Sequence, residues 1–355
     1  MQRDQIKPLT GLRWIAAFLV YLSHTIGDNN LPKSLLQFSE NGYNGVTIFF
    51  VLSGFILTVN YYGRLELRST LKYLTARAAR ILPIYYTVLV FVLLQTRLRD
   101  GSIPSWSWKH LLLIQVWYTD LNVSMGLNGP AWSVGVELFF YLLFPILIFL
   151  FTKLLKSVRM SLILTAVGVG IISIFYLKFR NGPSDVWDSN STHRWLYRSP
   201  LTRIGDFIYG IGLAGLYLSL HKSIKVQKMW SALTYISFGV IVFMMYFTTP
   251  RTAISWDLQY AIPAGVLILG LAMDQTSFFS RLLSTNAFVL LGEISFTFYL
   301  IHKVLPMDTF LKNTSVFAIL FYSMNLAVLC AISYSLYQFV EKPSRRFINS
   351  RFTNR

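Results

Sequence analysis

The chain has 355 residues, 54% of them hydrophobic and only 13% charged, with a net charge of +17 and a mean hydropathy of +0.51. A water-soluble domain carries about a quarter charged residues, and here apolar runs long enough to cross a bilayer recur from end to end, which excludes a soluble globular protein. The 32 Lys and Arg sit in short clusters between those runs rather than on one basic face, so they answer to membrane topology and anionic lipid, not to nucleic acid.

The apolar runs fall at about 10–28, 45–62, 81–97, 132–152, 160–179, 201–219, 230–247, 257–273, 287–304 and 315–340. Together they predict an all-α, polytopic membrane bundle of about ten transmembrane helices, formed as a single domain over 1–355. An even number of spans puts both ends on one side. The clusters Arg64 to Arg80, Lys153 to Arg159 and Lys342 to Arg355 then share the side of the N-terminus, and the positive-inside rule makes that side the cytoplasm. The first run has no small-residue cleavage site after it and is expected to be a retained span. Residues 98–131 break the alternation, because the apolar stretch within Lys109 to Asp120 is too short to cross. They are expected to form a re-entrant or outer-face segment sheltered by protein.

Ionisable residues inside spans mark functional sites by default. In the first run Arg13 and His24 are eleven residues apart, about 1,100° or three turns plus 20°, so they share a helix face with a rise of about 16 Å between them. With Arg13 at the cytoplasmic headgroups, His24 lies beyond the middle of the membrane. Ser133, Glu137 and Tyr141 form a stripe at i, i+4, i+8, and Ser295, Tyr299 and His302 form a second. Entering from outside, Glu137 is expected near the level of His24. Arg203 and Asp206, at i and i+3, sit at a comparable depth and either neutralise each other or join the same layer. Four helices thus aim ionisable groups at one outer-half chamber. On the cytoplasmic side Arg77 and Arg80 present two guanidinium forks on a basic helix expected to end before Pro83, a pair suited to phosphate, although positive-inside charges look the same. Cys330, alone in the last run, is expected to pack, and no metal site is expected. The glycines of the FFVLSGF segment and Gly205, Gly210, Gly212 and Gly215 are expected to let helices approach closely. Trp117, Tyr118 and Trp195 are placed near the outer rim, where aromatic rings either belt the interface or stack on a sugar.

These motifs have an ordered likeness. Arg13-x10-His24, GYNGVTIFFVLSGFIL at 42–57, Arg77-x-x-Arg80 followed by ILPIYY, WSVGVELFFYLLFP at 132–145, RIGDFIYGIGLAG at 203–215, GEISFTFYLIH at 292–302 and EKPSRRF at 341–347 cover essentially the whole chain. The set resembles the membrane acyltransferase-three family of bacterial proteins that O-acylate surface and secreted glycans. The resemblance implies an enzyme of the bacterial cytoplasmic (inner) membrane that moves an acyl group, usually acetyl from acetyl-CoA, to a sugar hydroxyl. Arg13 and His24 match the family's essential first-helix pair, and Arg77 with Arg80 match its cytoplasmic arginine pair. Some members carry an added periplasmic esterase-like domain, and a stand-alone form is expected here.

On this reading His24 is the general base and Glu137 orients its ring, while Arg13, Arg77 and Arg80 take the donor phosphates and pantetheine arm. Ser133, Tyr141, Arg203, Asp206, Tyr299 and His302 support the acceptor side. The partners are acetyl-CoA, a glycan or lipid-linked saccharide, and membrane lipid. The alternatives are a glycan transporter or flippase that uses the same polar cavity, an acyltransferase that acts on a small secreted molecule, and a sensor that keeps the fold without turnover. The transporter lacks a matching inverted repeat.

Overall fold

The computed structural model describes residues 5–25, 32–66, 69–221, 224–305 and 316–352, and no strand occurs among them. In hydrocarbon every backbone N–H and C=O must find a partner, which a helix supplies from within its own segment. In chain order the helices are α1 (Lys7–Thr25), α2 (Lys33–Glu40), α3 (Gly45–Tyr61), α4 (Thr70–Asp100), α5 (Trp108–Leu111), α6 (Leu121–Met125), α7 (Trp132–Phe151) and α8 (Val158–Phe179). They continue as α9 (Pro200–Leu220), α10 (Ile224–Phe247), α11 (Leu258–Met273), α12 (Phe278–Leu283), α13 (Asn286–Ile301) and α14 (Val316–Leu336), followed by a π-helical turn at Tyr337–Glu341 and α15 (Lys342–Phe352).

Within the described residues, each of the ten apolar runs falls mainly on one of these helices, the run at 315–340 continuing into the π-helical turn. By length and composition, six stretches among the described residues are able to cross a membrane: Lys33–Tyr61, Thr70–Asp100, Gly129–Phe151, Val158–Phe179, Met229–Phe247 and Tyr322–Arg351, with α11 and α13 as shorter apolar helices. The chain is therefore a multi-pass membrane protein. Leu162, Ile174 and Leu177 on α8 and Ile236, Phe243 and Phe247 on α10 are exposed, as residues facing lipid tails are expected to be.

Helix α9 is the opposite case. Every residue from Gly205 to Leu216 is buried, among them Asp206, because α9 is enclosed by α3, α8 and α11. The small residues make this enclosure possible. A Cβ on Gly54 would stand 2.1 Å from the Phe207 carbonyl oxygen, and one on Gly210 would stand 2.1 Å from the Val51 carbonyl oxygen. The α3 and α9 backbones touch where these two glycines face each other's helix.

One expected boundary differs. Helix α4 begins at Thr70 and runs through Pro83 without a break, so Arg77 and Arg80 belong to the same rod as the apolar span. Pro83 removes one helical donor, yet its carbonyl still accepts from the Thr87 hydroxyl (2.8 Å), and a bundled helix tolerates that single loss. Helix α4 ends where Gly101 adopts a left-handed φ of 73° and returns its N–H to the Arg97 carbonyl.

Residues 102–131 then form only short helical turns, none long enough to cross. They are tied to protein on several sides. Arg198 donates to the carbonyls of Tyr118 (3.2 Å) and Thr119 (2.7 Å) and to Ser124 Oγ (2.5 Å), and Arg194 donates to the Trp117 carbonyl (3.2 Å). The Tyr85 hydroxyl donates to the His110 carbonyl (2.7 Å), and the Asn128 amide donates to the Leu300 carbonyl (2.9 Å). Of the segment expected at 98–131, residues 98–100 thus belong to α4, and the rest forms no helix of crossing length and is tied to neighbouring protein.

Candidate active site

A half-open cleft, about 740 Å³ of empty space with its mouth included, lies among α1, α3, α4, α7 and α13. Seven of the residues singled out in the sequence line it: Arg13, Arg77, Arg80, Ser133, Glu137, Tyr141 and Tyr299. They come from four helices and meet because the stripes at i, i+4, i+8 put one face of α7 opposite α1, α4 and α13.

At one end the cleft is cationic. Arg77 donates from Nη2 to the Tyr61 hydroxyl (3.2 Å) and lies over the Tyr61 and Tyr141 rings, while its buried Nε has no partner. Among the described residues Arg13 and Arg80 make no hydrogen bond and no ion pair. Arg345 of α15 stands within electrostatic reach of Arg80 and Arg77. Two carboxylates temper this charge. Glu137 accepts a short hydrogen bond from the Tyr141 hydroxyl and is an electrostatic neighbour of Arg13. The buried Glu341 accepts from the Thr297 hydroxyl (3.4 Å) and faces Arg80 and Arg13. Four guanidinium groups gathered with only two carboxylates leave an excess of positive charge suited to an anion.

At the other end, the Ser133 hydroxyl donates to that of Tyr299 (2.9 Å), which donates to the Pro130 carbonyl (3.1 Å). One helical turn beyond Tyr299 on α13, a rise of about 4.5 Å, His302 meets His24. The His24 Nδ1 to His302 Nε2 distance is 2.9 Å, with the rings stacked at 5.1 Å, and His302 Nδ1 lies 2.7 Å from the Tyr299 carbonyl. His302 is buried and His24 half-buried.

This arrangement corrects two expectations. Glu137 does not orient His24, since no hydrogen bond joins them and the partner of His24 is His302. The reason is depth: Glu137 stands about 6 Å along α7 from Ser133, away from the histidines and toward Arg13. Nor do the ionisable groups share one layer. Arg203 and Asp206 are fully buried away from the cleft, and Arg203 pairs with Asp206 (3.0 Å) and with Asp257 through a shorter contact. Arg203 also donates to Thr47 Oγ1 (3.1 Å) and to the carbonyls of Tyr197 (2.6 Å) and Trp256 (3.1 Å), tying α3, α9 and the approach to α11 together. Asp257, Glu341 and Arg345 were not picked out as site residues from the sequence. Asp257 and Glu341 were legible as acids at the edge of an apolar run, Arg345 only as one cation in a basic tail.

The aromatic candidates separate as well. Trp195 is stacked on Phe179 at 4.5 Å, and Tyr118 lies under Lys109 at 3.7 Å, so one face of each ring is occupied. Trp117 is partly exposed and meets Phe139 edge-on. Cys330 is a free, half-buried thiol packed with the apolar core.

The structure is thus a membrane bundle holding a largely apolar cleft with a cationic end, and beside it a histidine pair, His24 and His302, that does not line the cleft. Residues 6–338 match the Acyltransferase domain family, and the chain belongs to it. Among its relatives, the acyltransferase MdmB of Streptomyces mycarofaciens is 27% identical over 84% of this chain and 78% of its own length. The peptidoglycan O-acetyltransferase OatA of Listeria monocytogenes is 25% identical over 98% of this chain, and the O-acetyltransferase OatA of Staphylococcus aureus is 24% identical over 95%. The chain spans 57% of the length of each OatA relative. No solved structure matches. The protein is an acyltransferase that moves groups other than aminoacyl groups.

Proposed function

We propose that the protein transfers an acetyl group from acetyl-CoA to a hydroxyl of a surface polysaccharide, O-antigen or lipid-linked glycan at the bacterial cytoplasmic membrane. The arrangement proposed is ten spans with both termini in the cytoplasm, the side on which the donor is made. The observation that carries this reading is the cleft itself. It begins at Arg13, Arg77 and Arg80, which make no ion pair among the described residues, and ends at Ser133 and Tyr299, one helical turn short of His302, the partner of a His24 that lies about 16 Å along α1 from Arg13. A nucleotide phosphate held at Arg77, Arg80 and Arg13 leaves an extended pantetheine arm pointing at that histidine.

In the transfer, the acceptor hydroxyl oxygen attacks the thioester carbonyl carbon while His24 Nε2 takes its proton. The carbon–sulfur bond then breaks, the thiolate leaves, and the proton on His24 returns to it, giving free CoA and an ester on the glycan. A sugar hydroxyl is too weak a nucleophile without that base, and positioned general-base catalysis contributes about 10²–10⁴ in rate. Glu137 serves by holding Tyr141 and countering the Arg13 charge beside the arm, and Ser133 and Tyr299 supply hydroxyls at the acceptor end.

Purified protein in lipid nanodiscs, given labelled acetyl-CoA and a glycan acceptor, is expected to release CoA thiol and label the glycan. His24→Ala is expected to bind donor normally and stop turnover. Turnover equal to wild type in His24→Ala removes the base from this reading. Mass spectrometry of the host's surface polysaccharide with and without the gene identifies the acceptor, by the loss of a mass increment of one acetyl group. Transport of a lipid-linked glycan without thioester cleavage favours the flippase instead.

A further inference from the structure

We infer that His302 is a positioning residue that fixes the tautomer of His24. This rests on the reading of His24 as the base, and it comes from the direction of three consecutive hydrogen-bonding groups. The Tyr299 carbonyl oxygen is only an acceptor, and His302 Nδ1 lies 2.7 Å from it, so His302 carries its proton on Nδ1. In a neutral imidazole the other nitrogen is then a bare acceptor. That nitrogen, His302 Nε2, lies 2.9 Å from His24 Nδ1, so His24 must donate from Nδ1. The Val20 carbonyl, one turn back on α1, is a second hydrogen-bonding neighbour of the ring, and with Nδ1 as the donor, His24 Nε2 keeps its lone pair. A backbone carbonyl, whose role cannot change, thus determines through two rings which nitrogen of His24 accepts a proton.

The same geometry explains why the pair forms where it does. His302 follows the last residue of α13, so its ring is able to turn back on the Tyr299 carbonyl three residues before it. Tyr21 stands edge-on at 6.5 Å and Phe298 stacks at 6.4 Å, and these rings hold His302 in place from α1 and α13. His302 is buried while His24 is half-buried, so it is His24 that remains open to a reacting group. When His24 Nε2 takes the hydroxyl proton, the Nδ1–H bond to His302 Nε2 becomes charge-assisted and strengthens as the imidazolium forms. The orienting group that serine hydrolases draw from a carboxylate is supplied here by a second imidazole.

The test replaces His302 in full-length protein in nanodiscs and measures kcat and the acetyl-CoA KM separately. His302→Phe keeps a ring but offers no acceptor. It is expected to lower kcat about a hundred-fold or more, with an unchanged donor KM and an unchanged size-exclusion profile. His302→Gln places an amide oxygen near the position of Nε2 and is expected to recover most of that loss. ¹⁵N-histidine NMR of wild type is expected to show His24 protonated on Nδ1, with a mixture of tautomers in His302→Phe. Wild-type kcat in His302→Phe, an Nε2-protonated His24 in wild type, or equal damage to kcat and KM without recovery by Gln overturns the proposal. A His24→Ala control separates the two ideas. If it is inactive while His302→Phe is normal, only the positioning role fails; if it is active, the base reading fails and the positioning role with it.

Discussion

Replacing Arg80 by Ala separates a residue kept for binding from one kept for folding. Arg80 makes no hydrogen bond or ion pair among the described residues, and its electrostatic neighbours include Arg13 and Arg345 as well as Glu341. Removing it takes away like-charge repulsion along with some attraction to Glu341, so the melting temperature of the donor-free protein is expected to stay level or rise. A hydrogen bond to a charged group contributes about 1.5–3 kcal/mol. At about 1.4 kcal/mol per tenfold, loss of one guanidinium–phosphate contact corresponds to a donor affinity about 10- to 150-fold weaker. The assay is acetyl-CoA titration of nanodisc protein, followed by thioester cleavage at saturating donor, where kcat is expected to recover. Binding within twofold of wild type together with a lower melting temperature would refute the reasoning, because Arg80 would then be a structural cation.

Four further substitutions probe the frame around the cleft. Arg203→Met strands Asp206 and Asp257 in the interior, and breaking such a buried pair costs about 3–5 kcal/mol, so thermal unfolding in detergent is expected to show severe destabilisation; a near-normal transition would mean that water reaches this cluster. Gly210→Val drives a side chain into the Val51 carbonyl and is expected to lower stability by about 1–3 kcal/mol or more, whereas Gly170→Val on α8, with open space around its Cβ position, is expected to be neutral in the same melt. Arg198→Ala removes the bonds to Tyr118, Thr119 and Ser124, so limited proteolysis within residues 115–125 is expected to accelerate while the rest of the chain keeps its protection.

Much of the architecture was legible in the residues because its causes are local. Hydrophobic runs of span length become helices wherever water is absent, and the described parts of the ten runs are mainly helical, six stretches among them long and apolar enough to cross. The face shared by Arg13 and His24 follows from helical period alone, as does the stripe Ser133, Glu137 and Tyr141, and seven candidates drawn from such patterns line one cleft. Pro83 misled for a related reason: a local rule ends a helix there, but a span packed in a bundle tolerates one missing donor.

What tertiary structure alone decided is partnership. Both His302 and Glu137 were plausible neighbours of His24 by depth along their own helices. Which one meets it depends on how α7 and α13 are shifted relative to α1, and no periodicity within a helix carries that offset. Arg203 had Asp206 one turn away, but its second carboxylate, Asp257, lies 51 positions further along the chain than Asp206, and only the packing of α3, α9 and the start of α11 turns an ordinary i, i+3 pair into a sealed cluster. A sequence specifies spacing along each rod through the fixed rise and rotation of a helix. The contacts between rods follow from which glycines let backbones touch and which side chains fill the space between them, and those are properties of the assembled bundle.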